Sequence, residues 1–308
     1  LRYIVQRLGM ALLYPAQSRV KKFLKFPELH TSVLNNSRKE AADALNKTGF
    51  IVRDVVLEKN GVRYSGLLVG HKDTIDNGNW ALQATGNAEP IERCVESFAK
   101  TYKKFNFNIL LINGPSVGKS EGEAVPKSLG DAQEVGLSFM EMALKATKIV
   151  IAGRSFGGAA IGLAILQHQF KVDVKYLVIR QMTFDRASNV CGKFVGTIFP
   201  QLARLEGLVA WIVRWAGSEM DLVETSQHLQ RRSIKEVIVQ AGNKKIMGEK
   251  LSTIDDFYSD GSILAHASLG YALIKEGVTD NKVFICLVSA RHMTFDAITA
   301  AGAEIGQL

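Results

Sequence analysis

The pattern Gly-x-Ser-x-Gly occurs three times in this 308-residue chain: twice, overlapping, in GPSVGKSEG around Ser116 and Ser120, and once in GRSFG around Ser155. A serine in this pattern serves as a nucleophile when it stands on a sharp turn between a buried strand and a helix, with small neighbours that let the two elements approach. Only the third copy has that setting. KIVIAGRSFGGAAIGLAIL reads as an apolar strand, a turn carrying Gly153, Ser155 and Gly157-Gly158, and a small-residue helix without proline. After GPSVGKSEG, Gly122 and Pro126 prevent a helix from starting at once, so Ser116 and Ser120 read as loop serines. The same loop superficially matches a phosphate-binding loop. Asn113 stands where its first Gly is needed, however, and without the helix the amides that would hold an anion are missing.

A serine hydroxyl needs a base within hydrogen-bond reach. Of the six histidines, only His292 falls in the turn after the last apolar strand, in FICLVSARHMTFD. His30 lies in the N-terminal arm, His71 follows a hairpin, and His168, His228 and His266 fall in helical or cap segments. Strand ends on one edge of a parallel sheet lie side by side, so Ser155 and His292 can meet, and Ser before His is the chain order this arrangement uses. The oxyanion of an acyl-transfer intermediate would be held by the N–H of Phe156 and by one from the turn ATGNAEP, at Asn87 or Ala88. The acid is less evident. The turn after VIVQAG reads NKKIMGEK, without the expected early carboxylate, so Asp185 in RQMTFDRAS is the best substitute; Asp255 and Asp256 come next and Glu249 after them.

These residues need a scaffold that brings strand ends together. FIVRDVVLEKNGVRYSGLLVG predicts two alternating strands around the turn dipeptide Asn60-Gly61. NWALQATGN predicts a third strand, and Ile91, Val95, Phe98, Tyr102 and Phe105 mark one face of a helix. FNILLING, KIVIAG, VKYLVIRQM, KEVIVQAG and KVFICLVSA are continuous apolar runs, as expected of strands buried on both faces of a parallel sheet. Helices are expected over about Leu129–Ala146, through FGGAAIGLAILQH, near Ile263–Glu276, and after His292. The fold class is therefore α/β: a hairpin, then strand–helix alternation giving a mostly parallel sheet with helices on both faces. The interval of about 185–232 is too long for a simple crossover. Its apolar segment FVGTIFPQLARLEGLVAWIVRWAG predicts a helical cap over the C-terminal edge of the sheet. The expected organisation is a basic N-terminal helical arm over residues 1–48 and one domain over 49–308 carrying that cap.

Composition narrows the classes further. With 47% hydrophobic and 22% charged residues the chain is globular, and no run approaches the ~20 apolar residues of a membrane span. The chain opens on Leu1 rather than Met, so we expect the native polypeptide to begin further upstream. Cys94, Cys191 and Cys286 form neither a disulfide framework nor a metal cluster, and nothing calls for a cofactor; a reducing compartment fits. Residues 1–27 hold six basic side chains and no acid within a net charge of +8. Such an arm can pack its apolar residues on the domain as a solvated face, or meet an anionic membrane surface. Nucleic acid is not expected, since no basic–aromatic interleaving accompanies the charge.

WALQATGNAEPIER, NILLINGPSVGKSEG, IVIAGRSFGGA and VSARHMTFD resemble successive blocks of α/β hydrolases, and are most similar to the CHLPS-type hydrolases of intracellular bacteria, including lipase-like secreted Legionella effectors. The resemblance spans roughly 50–300, with the GRSFGG turn and the GNAE turn its most specific parts. It implies the α/β-hydrolase fold and an esterase- or lipase-like serine hydrolase acting on a small-molecule or lipid ester, with Ser155 and His292 as nucleophile and base. It also implies a cytoplasmic location, or secretion into a host-cell cytosol with peripheral membrane contact. In similar hydrolases the strand-end run has the form Gly-Asn-Asp; here Lys244 stands where the Asp is expected, and Arg154 precedes the nucleophile where His or Tyr is commoner. A second expectation, of a different class, is a non-catalytic binding or effector module that keeps the hydrolase fold.

Overall fold

The computed structural model describes residues 31–87, 89–198, 200–242, 257, 259–260, 262–287 and 297–308. His292, Lys244, Ala88, Glu249, Asp255, Asp256 and the basic arm over 1–27 lie outside them.

A first helix, α1 (Thr31–Asn46), leads into the hairpin of β1 (Phe50–Lys59) and β2 (Val62–His71). Asn60 and Gly61 both have positive φ, 55° and 73°, the mirror-image turn whose twist matches that of the paired strands. There follow β3 (Asn79–Ala84), α2 (Ile91–Lys103), β4 (Asn108–Ile112), α3 (Pro126–Met142), β5 (Lys148–Arg154), α4 (Phe156–Gln167) and β6 (Lys175–Gln181). The eight strands pair in the order β1-β2-β4-β3-β5-β6-β7-β8, where β7 is Lys235–Ala241 and β8 is Lys282–Leu287. β2 runs antiparallel to β1 and β4; every other pairing is parallel.

The apolar runs are strands because both of their faces are buried. Val150, Ala152, Leu177 and Ile179 point into the core shared with α1 and α2, while Ile149, Ile151 and Val178 point into the core shared with α3 and α4. Ile91, Val95, Phe98 and Tyr102 of α2 are all buried, as their spacing predicts. Phe105 lies just past the end of the helix. α3 begins at Pro126, a few residues earlier than expected, since proline's fixed φ suits the first helical position. Among the described residues no helix is long and apolar enough to cross a membrane.

The interval between β6 and β7 holds α5 (Ala187–Ile198), a 3-10 turn (Pro200–Leu205), α6 (Glu206–Trp215) and α7 (Leu222–Arg231). α5 and α6 pack on each other as a helical cap. α7 instead returns to the sheet against α4 and β7, with Leu229 in the α3–α4 core. The predicted cap over 185–232 thus contains the ordinary crossover helix as its last part. α8 (Leu269–Lys275) precedes β8, and two short helices, α9 (Ala297–Ala300) and α10 (Gly302–Gln307), close the chain against the α2 face.

Candidate active site

Ser155 stands between the last residue of β5 and the first of α4, with φ 50° and ψ −120°. A left-handed conformation is unfavourable for a residue with a side chain and persists only where the surroundings impose it. Here they do so through both backbone groups. The Ser155 N–H donates to Gln181 O at 2.8 Å on the neighbouring strand, and its carbonyl accepts from Gly158 N at 2.9 Å and Thr183 Oγ1 at 2.6 Å.

The glycines of GRSFGG are needed for close approach. A side chain on Gly157 would sit 2.4 Å from Thr85 O and 2.6 Å from Ala84 O; one on Gly158 would lie 2.0 Å from Thr183 Oγ1. α4 thereby starts directly against the ends of β3 and β6, and Ser155 alone in this stretch remains half-buried rather than enclosed. Phe156 opens α4, at the end of a helix whose amide N–H groups point outward.

The turn after β3 reaches the same point. A side chain on Gly86 would lie 3.8 Å from Ser155 Cβ. Asn87 is exposed at its tip, and Glu89 folds back so that its Oε2 accepts from Gly86 N at 2.9 Å while Thr85 Oγ1 donates to Glu89 O at 2.6 Å. The other carboxylate oxygen of Glu89 is paired with the Arg154 guanidinium. Arg154 is buried, which lowers its pKa to about 10, still far above neutrality. Gly86 gives its N–H to Glu89, so that amide is not turned toward Ser155.

Asp185 lies four residues beyond the end of β6, the strand next to β5. Its Oδ1 accepts from Arg186 N at 2.6 Å and its Oδ2 from Asn189 Nδ2 at 2.6 Å, at the start of α5. Burial pushes the carboxyl up to about 6, even though the hydrogen bonds and the Arg186 charge act the other way. Its backbone is braced by Ala267 O and Leu222 N, each at 2.9 Å.

The other serines are structural. Ser120 Oγ accepts from Ser65 N and donates to Asn113 O, both at 2.9 Å, and Ser116 Oγ donates to Gly122 O at 2.6 Å. Ser116 ties the 113–122 loop to itself, and Ser120 ties it also to β2. Among the described histidines, His71 pairs with Asp73, His168 is buried between Glu134 and Glu141, and His228 accepts from Arg232. His266 is exposed on the segment that braces Asp185. A cleft of about 580 Å³ lined by Arg53, Trp80 and Lys145 lies at the N-terminal edge of β3 and β5, opposite Ser155.

A family model described as Chlamydia CHLPS protein (DUF818) matches residues 3–299. The chain belongs to that family. No curated protein matches this CHLPS-family chain. Among solved structures it is similar to the esterase Pf2001 of Pyrococcus furiosus, at 14% identity and a TM-score of 0.56 over 85% of this chain and 90% of that one. It is equally similar to the α/β hydrolase GrgF of Penicillium sp. sh18, at 14% identity and a TM-score of 0.56 over 83% and 98%. Est1E of Butyrivibrio proteoclasticus, solved with ferulic acid bound, matches at 11% identity and a TM-score of 0.53 over 82% and 96%. These likenesses and the strand order make the fold that of the α/β hydrolases.

Two groups that bear on the site were not read from the sequence of this CHLPS-family chain. One is the Glu89–Arg154 pair. Its signal was present, a basic residue beside Ser155 and an acid in the GNAE turn, but nothing in the spacing links them across so long a stretch of chain. The other is Arg180, fully buried in β6, which donates to Gly158 O at 2.5 Å and to Glu236 at 3.0 Å beneath the start of α4. A charged residue inside an apolar strand run was its only mark.

Proposed function

We propose that the chain is a serine hydrolase of carboxylic esters, esterase- or lipase-like. The observation that carries this reading is the strained backbone of Ser155 at the C-terminal tip of β5, held there by Gln181, Thr183 and Gly158. Strain of this kind, at a turn from a buried strand into a helix, aims a hydroxyl out of the sheet edge. The esterases among the similar folds support the ester as substrate class, and the apolar cap over this edge supports an acyl chain or lipid.

In the proposed reaction, Ser155 Oγ attacks the ester carbonyl while His292 takes its proton. The N–H groups of Phe156 and of Asn87 or Ala88 hold the developing oxyanion. The tetrahedral intermediate collapses, the alcohol leaves with the proton from His292, and water then releases the acid by the same steps in reverse. β8 ends three strand spacings, about 14 Å, from β5. The five residues after Leu287 reach at most about 17 Å, which permits His292 to be the partner. Asp185, buried and held by Asn189 and an amide, is the proposed acid that orients it. Residues 1–27 are proposed to meet an anionic membrane.

The second reading, a hydrolase-fold binding module, is favoured by one observation: both Asp185 oxygens are engaged at the start of α5. A fluorophosphonate probe separates the two. It should label the wild type, fail on Ser155→Ala, and label His292→Ala far more slowly while His266→Ala behaves as wild type. A wild type that is not labelled, or a Ser155→Ala chain labelled equally, sinks the hydrolase reading.

A further inference from the structure

The cap helix α6 is apolar on two sides, and among the described residues only one of them is packed. Its Val213 is buried in the cluster that also holds Phe156 and Phe184, so the inner face forms part of the wall beside the nucleophile turn. Leu208, Trp211 and Trp215 recur at steps of three and four on the outer face and are 51%, 54% and 39% exposed; Leu205, one turn earlier, is 41% exposed. No other element of the described residues exposes so many large apolar side chains together. Trp211 and Trp215 stack with ring centroids 6.1 Å apart and planes 16° from parallel, which presents one continuous aromatic surface to solvent.

We infer that this outer face of α6 is a docking surface for an anionic lipid bilayer. The composition identifies the occupant. Indole rings combine an apolar body with an N–H donor and settle at the boundary between headgroups and acyl chains. Arg204 and Arg214 are exposed towards the two ends of this segment, and arginine stems can lie along an apolar face while the guanidinium groups reach phosphates; Arg214 Nη1 also touches Ser188 Oγ at 3.5 Å. The segment's two arginines stand against one acid, Glu206, a positive balance that complements an anionic surface. A ten-residue helix is too short to span a bilayer and long enough to lie in its interface. This contact deepens the lipid-ester reading, because it sets the cap, and behind it Ser155, against the layer that would supply the substrate.

The contact is tested without turnover, so that its failure and the failure of the hydrolase reading are distinguishable. The full chain is floated with phosphatidylcholine vesicles, with and without phosphatidylserine, and its tryptophan fluorescence is followed on vesicles of brominated lipid. The chain has three tryptophans, and the third, Trp80, is buried and serves as an internal control. We expect the wild type and Ser155→Ala to float with phosphatidylserine vesicles and to be quenched. The Trp211→Ser/Trp215→Ser chain should lose roughly tenfold in binding and all bromine-dependent quenching, since binding scales with apolar area buried. Its unchanged hydrolysis of a short soluble ester, or its unchanged circular dichroism if the protein is no enzyme, shows that it is folded. Arg204→Glu/Arg214→Glu should weaken only the phosphatidylserine-dependent part. Flotation unaffected by the tryptophan substitutions overturns the inference. So does a dimer that forms through these residues in light scattering while vesicles are ignored, because the occupant is then a second copy.

Discussion

Arg154, the last residue of β5, is paired with Glu89 in the turn after β3, so a single buried ion pair joins the strand that leads into Ser155 to the turn that faces it. The side chains are 1% and 11% exposed. The same carboxylate accepts from Gly86 N, so Glu89 both shapes the turn and holds it against the Ser155 turn.

Glu89→Gln keeps an acceptor for Gly86 but leaves the Arg154 charge buried without its counter-ion. Breaking a buried pair from one side costs about 3–5 kcal/mol, whereas replacing both partners costs less. Urea denaturation should therefore show Glu89→Gln well below wild type, and Arg154→Met/Glu89→Gln should recover part of the loss. On a soluble ester, displacement of the turn should lower kcat by up to about 100-fold with little change in KM. Additive losses in the double variant would refute the coupling.

Strain at Ser155 makes a separate prediction. Ser155→Ala removes the hydroxyl but keeps a side chain at φ 50°. Ser155→Gly removes both. Both variants should be inactive, and the glycine variant should be the more stable by about 1 kcal/mol in chemical denaturation. Equal stabilities would mean that the backbone at 155 is unstrained.

The strands, the hairpin turn and the strand–turn–helix at Ser155 could be read from the sequence because each depends on local pattern: unbroken apolar runs, an Asn-Gly pair, and glycines around Ser155. Choosing among three copies of the serine pattern needed only the next dozen residues. The Glu89–Arg154 and Arg180–Glu236 pairs were not legible, because they join residues far apart in the chain through the strand order, which the pattern does not encode. Asp185 was reached by its place after β6, but the hydrogen bonds it makes with Asn189 and Arg186 depend on where α5 begins. The cap's outer face was hidden for the same reason: FVGTIFPQLARLEGLVAWIVRWAG is apolar throughout, and only packing decides which of its residues stay in solvent.

Gly157 and Gly207 should respond to alanine in opposite directions. At Gly157 the new side chain meets two backbone oxygens within 2.6 Å, and backbone cannot move aside as a flexible side chain can. At Gly207, on α6, nothing lies within 4 Å, so the substitution should act only on helix propensity. Gly207→Ala should stabilise by about 0.5–1 kcal/mol. Gly157→Ala should destabilise by about 3 kcal/mol, as overpacking does, and abolish probe labelling at Ser155. A tolerated Gly157→Ala would contradict the close approach of α4 to β3.

Asp185→Asn separates two roles by pH. Burial raises the carboxyl from its ordinary 3.8 to about 6, so the folded chain holds this proton more tightly than the unfolded chain does. Stability from the protonated form is thus fully present below about pH 4 and is lost as pH rises through about 6. At neutral pH the ionised group costs up to about 3 kcal/mol, since each tenfold difference in proton affinity between the folded and unfolded chains is worth about 1.4 kcal/mol. Asparagine mimics the neutral acid and keeps an acceptor for Arg186 N. The variant should match wild type near pH 4 and exceed it above pH 6 in denaturant titrations. If Asp185 orients His292, the same change should lower kcat by about 10⁴-fold above pH 6, where the wild-type carboxyl is ionised, and by progressively less as pH falls below it. A gain in stability with kcat left within a few-fold of wild type would confine Asp185 to the start of α5 and remove it from the catalytic group.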